Sequence, residues 1–402
     1  MAISQYKNSY DFLQNDLKNR ILLLDGAMGT MIQKQNLTAD DFGGEKYEGC
    51  NDYLVLTKPE IIKNIHKEYL KSGSDIIETN SFGALDIVLK DYDLEDRAFE
   101  MSKRAAELVN EAILEYRSEN PDDTRHLYVA GALGPSNKSI SVTGGVTFDE
   151  LVHTYYTAVS GLLAGGVDLI LFETIQDTRN LKAAYLGLKK AMEENYTVPL
   201  MLSFTIESTG TTLAGQTADA FYYAVNHMNP FSVGLNCATG PEFMTQFLKT
   251  LNNISNTYIS VYPNAGLPNE DGEYEETPDT LSAKIEPFFQ NNYLNIVGGC
   301  CGTTPEHIQK IKEKSVNYSP RVIDENKDFN DVSGLITLET PKNRPIYVGE
   351  RTNVIGSRIF KNLIASEKFD EATEVARLQI KGRADVIDIC LANPDRDEIA
   401  DM

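Results

Sequence analysis

Val167-Asp-Leu-Ile-Leu-Phe-Glu173 is an almost continuous apolar run that ends on a carboxylate. Strands with one solvated face alternate apolar and polar residues, whereas strands covered on both faces do not. The run therefore predicts a parallel strand that lies between two layers of helix. Amphipathic stretches at 147–164 and 180–193 flank the run and predict two of those helices.

The same strand–helix unit recurs along most of the chain. Further apolar runs lie at 21–25, 75–79, 127–131, 198–205, 232–237, 258–262 and 294–298. Further amphipathic stretches lie at 59–71, 94–116, 218–228, 241–251, 278–289 and 305–314, and Thr303-Thr-Pro-Glu306 predicts a capping box at the last of them. Eight strands, each followed by a helix, predict an α/β protein with a closed (β/α)8 TIM barrel. An open doubly wound sheet is the alternative, although no GxGxxG motif opens the first unit.

The composition excludes some classes of partner. The chain has 37 Lys+Arg against 59 Asp+Glu, a formal net charge of −22. Nucleic acids and anionic membranes are bound through Lys and Arg, so we expect neither as a partner. Residues 1–19 lack a signal-peptide core, and no apolar stretch is long enough to cross a bilayer. Five cysteines, an odd number, favour a reducing compartment, and we expect a cytoplasmic protein.

The pattern changes after residue 316, where we expect the barrel domain (1–316) to end. From 317 to 344 polar and charged residues dominate, prolines occur, and the helical period is lost, which predicts an inter-domain linker. A new unit follows, with predicted strands at 345–349 and 385–391 and a helix at 371–381. One such unit cannot bury both faces of its sheet, so 345–402 is expected to be the incomplete βαβ start of a second barrel.

Three cysteines are candidates for a metal site at the C-terminal face of the barrel, where active sites of this fold lie. Cys237 ends the sixth predicted strand, and Cys300 and Cys301 follow the eighth within Gly298-Gly-Cys-Cys-Gly302. Three thiolates can hold zinc and leave its fourth position open, which suits the activation of another thiol as a nucleophile. Ordinary burial of Cys237 and a redox role for the adjacent pair are the alternatives.

Two carboxylates end strands at the same face: Asp25 after the first strand and Glu173 after the fourth. They could act as acid and base or bind an ammonium group. Alternatively, Asp25 caps a turn and Glu173 pairs with a lysine. Backbone N–H groups at Gly26 and Ala27 are accessible enough to hold a carboxylate. An amino acid carries both charges, so the two features together suggest an amino-acid substrate.

These segments resemble the homocysteine S-methyltransferase family over about residues 10–316. The resemblance rests on Asp25-Gly-Ala-Met-Gly-Thr30, Glu78-Thr-Asn80, Gly134-Pro135, Phe172-Glu-Thr174, Gly234-Leu-Asn-Cys237, Pro263-Asn-Ala-Gly266 and Gly298-Gly-Cys-Cys-Gly302. The later segments Val348-Gly-Glu-Arg-Thr-Asn-Val354, Gly356-Ser357 and Val386-Ile-Asp-Ile389 resemble the opening of the pterin-binding barrel in the cobalamin-dependent methionine synthase family.

The resemblance implies a role for each candidate residue. The zinc ligands and catalytic residues would be Cys237, Cys300 and Cys301, and Asn264 would fill the fourth position when substrate is away. The ammonium group of homocysteine would bind Asp25 and Glu173, and its carboxylate would bind N–H groups around Gly26 and Ala27. Homocysteine would then be activated as a zinc thiolate.

The resemblance also implies a methyl donor. Methylcobalamin, formed from methyltetrahydrofolate, would pass its methyl group to homocysteine and give methionine. The cobalamin would be carried by a module absent from this chain, which has no Asp-x-His-x-x-Gly run to ligate cobalt, and the tetrahydrofolate site would be incomplete. We therefore expect a truncated piece, or a chain that acts with others. The alternatives are a stand-alone homocysteine methyltransferase that uses S-methylmethionine or betaine, and a non-catalytic barrel that binds an amino acid.

Overall fold

The computed structural model describes residues 2–269, 274–324, 327, 331–338 and 345–402. The chain forms two compact units. One consists of Met1–Phe329 and Ser333–Ile336, and the other of Asn330–Val332 and Thr337–Met402.

The first unit is built on eight parallel strands. They are β1 (Leu22–Leu23), β2 (Ile76–Glu78), β3 (Tyr128–Leu133), β4 (Leu169–Ile175), β5 (Leu200–Phe204), β6 (Ser232–Asn236), β7 (Tyr258–Tyr262) and β8 (Ile296–Val297). They form one sheet in the order β1-β8-β7-β6-β5-β4-β3-β2. A parallel bridge between Leu24 and Ile76 joins the two ends of this order. The predicted TIM barrel is therefore confirmed, and the open sheet is excluded.

Helices alternate with these strands. They are α1 (Ala2–Asn19), α2 (Met28–Gln33), α3 (Leu54–Thr57), α4 (Pro59–Ser72), α5 (Asp86–Leu89), α6 (Ala98–Glu119), α7 (Phe148–Gly165), α8 (Thr178–Glu194), α9 (Ala218–Val225), α10 (Pro241–Ile254), α11 (Pro278–Gln290) and α12 (Pro305–Ser315). Local sequence explains several of the ends. Helix α7 begins with a capping box between Thr147 and Glu150 and ends at Gly166, whose φ of 88° only glycine adopts readily. Helix α1 and the short helices α2, α3 and α5 were not predicted.

The barrel interior is a packed apolar core. Inward-facing side chains of the strands, among them Leu22, Ile76 and Tyr128, form one buried cluster with Leu13 and Leu17 of α1. Fully burying each leucine contributes about 1.5–3 kcal/mol. Helix α1 therefore covers the N-terminal end of the barrel, which leaves the opposite end for the site. A larger cluster fills the space between the strands and the outer helices.

Part of the predicted linker packs on the barrel. Arg321 is 5% exposed and donates hydrogen bonds to Asn252 Oδ1 (2.8 Å) and to the backbone oxygens of Ser255 (2.6 Å) and Thr257 (2.9 Å). These bonds satisfy acceptors in the last turn of α10 and just beyond its C-terminal end. Other parts of the predicted linker, at 325–326, 328–330 and 339–344, lie outside the described residues.

The remaining elements are β9 (Val332–Ser333), β10 (Thr337–Leu338), β11 (Val348–Asn353), α13 (Arg358–Ala365), α14 (Phe369–Lys381), β12 (Val386–Cys390) and α15 (Glu398–Asp401). Strands β11 and β12 pair in parallel, as the strand–helix–strand prediction requires. Helix α13 was not predicted, and β11 begins three residues later than expected. The side chains of Ile359, Leu378 and Ile389 are more than half exposed. The interpretation of this unit as the start of a second barrel stays a prediction.

Candidate active site

Among the described helices, none has the length and apolar character that a membrane crossing requires.

A cavity of about 300 Å³ lies at the C-terminal ends of the barrel strands. The cavity is lined by the three cysteines and all four substrate-binding residues proposed from the sequence: Asp25, Gly26, Ala27, Glu173, Cys237, Cys300 and Cys301. The structure thus brings these residues together, although up to 276 positions separate them in the sequence (301 minus 25).

The three thiol groups form one cluster in the cavity wall. The Sγ atom of Cys301 lies 4.0 Å from that of Cys237 and 4.0 Å from that of Cys300, and all three lie within 4.8 Å of one another. A tetrahedral zinc with Zn–S bonds of about 2.3 Å sets its sulfur ligands about 3.8 Å apart. The cluster therefore fits a metal ion held by three sulfurs, and the ligand assignment itself stays a prediction.

Glycines allow the tight turn that carries Cys300 and Cys301. A Cβ atom on Gly299 would lie 2.5 Å from Thr303 Oγ1, and one on Gly302 would lie 2.3 Å from Cγ of Tyr274. Gly302 also has a φ of 81°, in the left-handed region that side chains disfavour. The flanking glycines thus let neighbouring chain segments pack directly against the turn.

The thiols of the cluster do not ionise alike. Hydrogen bonds from Cys237 and Cys300 lower the pKa of Cys301 to about 3. Hydrogen bonds to Cys237 and Cys301, together with burial, raise the pKa of Cys300 well above its ordinary value. The thiols therefore differ in acidity, and a metal that binds all three displaces the protons that they still carry.

Asn264, the predicted fourth ligand, lies after β7 and is buried. Its backbone N–H donates to the oxygen of Thr239 at 3.4 Å, and the N–H of Ala265 donates to the oxygen of Cys301 at 2.9 Å. Its Oδ1 atom has no hydrogen-bond partner among the described residues. A buried amide oxygen without a partner beside the cysteine turn suits a ligand, since such atoms are normally satisfied.

Four carboxyl groups, rather than the predicted two, line the cavity: Asp25, Asp52, Glu78 and Glu173. Asp52 Oδ1 already accepts a hydrogen bond from the backbone N–H of Gly83 at 2.9 Å, whereas Glu78 joins Asp25 and Glu173 from the end of β2. Burial raises the pKa values of Asp25 and Glu78 well above their ordinary range, and repulsion from Glu173 adds to both shifts. Burial also raises the pKa of Glu173 to about 8, with a smaller contribution from Cys301. These carboxyl groups favour a bound cation, because a cation restores their ionised forms.

One of the predicted carboxylate-binding N–H groups has a hydrogen-bond partner in the protein. The backbone N–H of Ala27 already donates to Thr303 Oγ1 at 3.2 Å. Helix α2 begins at the next residue, Met28, and its first N–H groups have no intrahelical acceptor. Because Met28 and Gly29 also line the cavity, these N–H groups are better placed than that of Ala27 to meet an anion.

Asn236 is a functional candidate to which the sequence reasoning assigned no role. It is fully buried at the end of β6, and its Oδ1 accepts hydrogen bonds from Thr174 N (3.0 Å) and Ser203 Oγ (2.7 Å). Its Nδ2 donates to Thr174 Oγ1 (2.8 Å) and, at 3.5 Å, to Glu173 Oε2. Asn236 thus fixes the end of β4 that carries Glu173. The only sequence signal was its place directly before Cys237.

Comparisons with known proteins agree with this geometry. A family model described as homocysteine S-methyltransferase matches residues 22–315. Solved structures of the homocysteine methyltransferase MmuM from Escherichia coli are similar to this chain. The metallated form is 25% identical with a TM-score of 0.63, and the oxidized form is 24% identical with a TM-score of 0.63. The apo form is 23% identical with a TM-score of 0.58. Each match covers 77% of this chain and 100% of that chain.

Proposed function

Because the chain belongs to the homocysteine S-methyltransferase family, we propose that its barrel is the zinc-dependent homocysteine module of a methionine synthase. In this proposal Cys237, Cys300 and Cys301 hold the metal, homocysteine takes a methyl group from methylcobalamin, and methionine is the product. The enzyme would act in the cytoplasm, where its five free cysteines suit a reducing environment.

One observation carries the proposal: three thiols and four carboxyl groups line the same cavity of about 300 Å³. Homocysteine has a thiol at one end and an ammonium group at the other, so its two ends match the two clusters. Zinc, when bound, would act as a Lewis acid that favours the thiolate form of a coordinated thiol at neutral pH.

The residues of the chain have separable tasks in this scheme. Asp25 and Glu173 hold the substrate ammonium, and the N–H groups at the start of α2 hold the substrate carboxylate. Asn236 keeps Glu173 in place through its bond to Oε2. With the amino-acid end held in this way, the side chain of homocysteine extends towards the cysteines, and its sulfur faces a donor that arrives from the open end of the barrel.

The second unit supports a folate- and cobalamin-dependent system over a stand-alone enzyme. Its segments resemble the start of a pterin-binding barrel, and Asn353 Nδ2 donates to Asp388 Oδ2 at 3.2 Å near its strand ends. We propose that a separate cobalamin-carrying module or protein supplies the methyl group.

Methionine formation by the purified chain tests the proposal. The chain, loaded with zinc, is incubated with homocysteine and separately with methylcobalamin, S-methylmethionine or betaine. We expect methionine with methylcobalamin, and loss of this activity when the metal is removed by a chelator. Methionine from S-methylmethionine or betaine alone would support a stand-alone enzyme. Homocysteine binding that needs no metal, with no methionine from any donor, would support a non-catalytic barrel.

A further inference from the structure

We propose that Glu78 joins Asp25 and Glu173 in binding the substrate ammonium group, and that it makes the barrel selective for substrates with a charged α-amino group. This inference deepens the proposed function, on which it rests, because it adds a third member to a pair, Asp25 and Glu173. It also assigns a role to a strand-end residue for which the sequence suggested none.

The backbone of Glu78 and the side chain of Asp25 are directly connected. Glu78 ends β2 beside β1, and its N–H donates to Asp25 Oδ2 at 3.1 Å. This bond uses one oxygen of the Asp25 carboxylate and leaves Oδ1 for another partner. Both carboxyl groups line the same cavity. The geometry therefore sets the two groups side by side at the end of the cavity formed by β1 and β2.

Both carboxyl groups have an unsatisfied oxygen. Asp25 Oδ1 and Glu78 Oε1 are buried, and neither has a hydrogen-bond partner among the described residues. A buried polar atom without a partner is destabilising, and native structures hold few of them. Two such acceptors in one cavity wall indicate a ligand that carries several N–H donors.

The charge of the cavity wall determines which kind of hydrogen-bond donor can bind there. Among the described residues that line the cavity, none is a lysine, an arginine or a histidine. Buried carboxylates need a cation close by, and here the protein supplies none at the cavity wall. A primary ammonium group has three N–H donors, so it can bond to Asp25, Glu78 and Glu173 at once. An uncharged substrate end would leave these carboxyl groups unpaired.

Two ligand pairs that differ only in the amino group test the proposal. The first pair is L-methionine and 4-(methylthio)butanoate, whose binding to the zinc-loaded chain is measured by calorimetry. The second pair is homocysteine and 4-mercaptobutanoate. Their KM values are compared in an assay with a methyl donor that the wild-type chain uses. Glu78→Gln removes the charge at constant size, and Glu48→Gln, at an exposed position, is the matched control.

We expect Glu78→Gln to weaken methionine binding and to raise the KM for homocysteine by roughly ten-fold or more, because a hydrogen bond between charged groups is lost. Binding of the two des-amino ligands and the metal content should not change. Glu78→Asp keeps the charge and should retain a preference for methionine over its des-amino analogue.

Equal weakening of both ligands in a pair would overturn the proposal, because it would show a general structural role for Glu78. Unchanged methionine binding in Glu78→Gln, or a wild-type chain that does not prefer methionine to its des-amino analogue, would overturn it as well. The calorimetric comparison needs no methyl transfer. A chain that selects the ammonium group and yet makes no methionine would therefore refute the proposed function and leave this inference standing.

Discussion

Thr303 Oγ1 accepts a hydrogen bond from the backbone N–H of Ala27 at 3.2 Å and donates one to the backbone oxygen of Cys300 at 2.7 Å. The hydroxyl group thus links the loop after β1 to the cysteine turn after β8. Glycines make room for it, since a Cβ on Gly26 or Gly299 would approach Oγ1 to 2.8 or 2.5 Å. One side chain therefore fixes the loop after β1 and the cysteine turn after β8 relative to each other.

Thr303→Val should loosen this connection, because valine has nearly the same shape and no hydroxyl. Leaving the buried N–H of Ala27 without an acceptor costs about 1–3 kcal/mol. We expect a lower melting temperature and weaker metal retention, measured by thermal denaturation and by competition with a chelator. Thr303→Ser keeps the hydroxyl and should retain most of both properties. Equal losses in the two variants would show that the methyl group, not the hydrogen bonds, matters.

Serine in place of Cys237, Cys300 or Cys301 should each abolish tight zinc binding, because two remaining thiolates are a poor site. The measurement is metal content after purification, with about one zinc per chain expected for the wild type. Cys50→Ser is the control, since Cys50 is also a free cysteine but lies outside the cluster. Full metal content in any of the three cluster variants would remove that cysteine from the ligand set.

Gly302→Ala should disturb the metal site more than Gly144→Ala, although both glycines have positive φ angles, 81° and 63°. A Cβ on Gly302 would collide with Tyr274, whereas one on Gly144 would meet nothing within 4 Å. The backbone strain of an alanine in this region, roughly 1–2 kcal/mol, is common to both variants. We therefore expect reduced zinc affinity in Gly302→Ala alone, measured by chelator competition. Equal affinities in the two variants would exclude the predicted collision.

His66 should make stability depend on pH. This α4 side chain is fully buried, neither ring nitrogen has a partner among the described residues, and burial lowers its pKa from 6.5 to about 3. The unfolded chain binds a proton below pH 6.5 while the folded chain does not, so stability falls as pH drops from 6.5 towards 3. The contribution is about 1.4 kcal/mol per pH unit.

Urea denaturation at pH 7.0 and pH 5.5 measures this effect. We expect His66→Leu to lose less stability over this interval than the wild type, since leucine cannot take up a proton in the unfolded state. His153→Gln, at an exposed position, should keep the wild-type dependence. The idea fails if His66→Leu and the wild type lose the same amount.

The barrel could be predicted because its strands carry the pattern of burial on both faces. The prediction for β7 at 258–262 matches its observed bounds, Tyr258–Tyr262, whereas β1 and β8 are two residues long instead of the predicted five. These two strands close the ring, and their pairing depends on partners far along the chain. Helix α1 escaped prediction because its sequence is mostly polar, and its residues Leu13 and Leu17 are buried only because they cover the N-terminal end of the barrel.

The sequence predicted which residues lie at the strand ends that form the site, but it did not predict the hydrogen bonds that connect them. Thr303 illustrates the limit: the sequence predicted it as the cap of the last helix, but the N-cap is Thr304. The hydroxyl of Thr303 is engaged by Ala27 and Cys300, residues that local sequence cannot bring to it. The same holds for Glu78, whose position at a strand end was evident but whose bond to Asp25 depends on how β1 and β2 meet.

The pairing of β8 with β1, through Leu22 with Ile296 and Leu23 with Val297, sets an order of events during biosynthesis. The first strand can meet β2 early, but the ring cannot close until β8 has left the ribosome, and Cys237 emerges before Cys300 and Cys301. In the proposed function, metal capture is then a late step of maturation that follows ring closure, and until that moment the nascent polypeptide carries the thiol of Cys237 without its two partners.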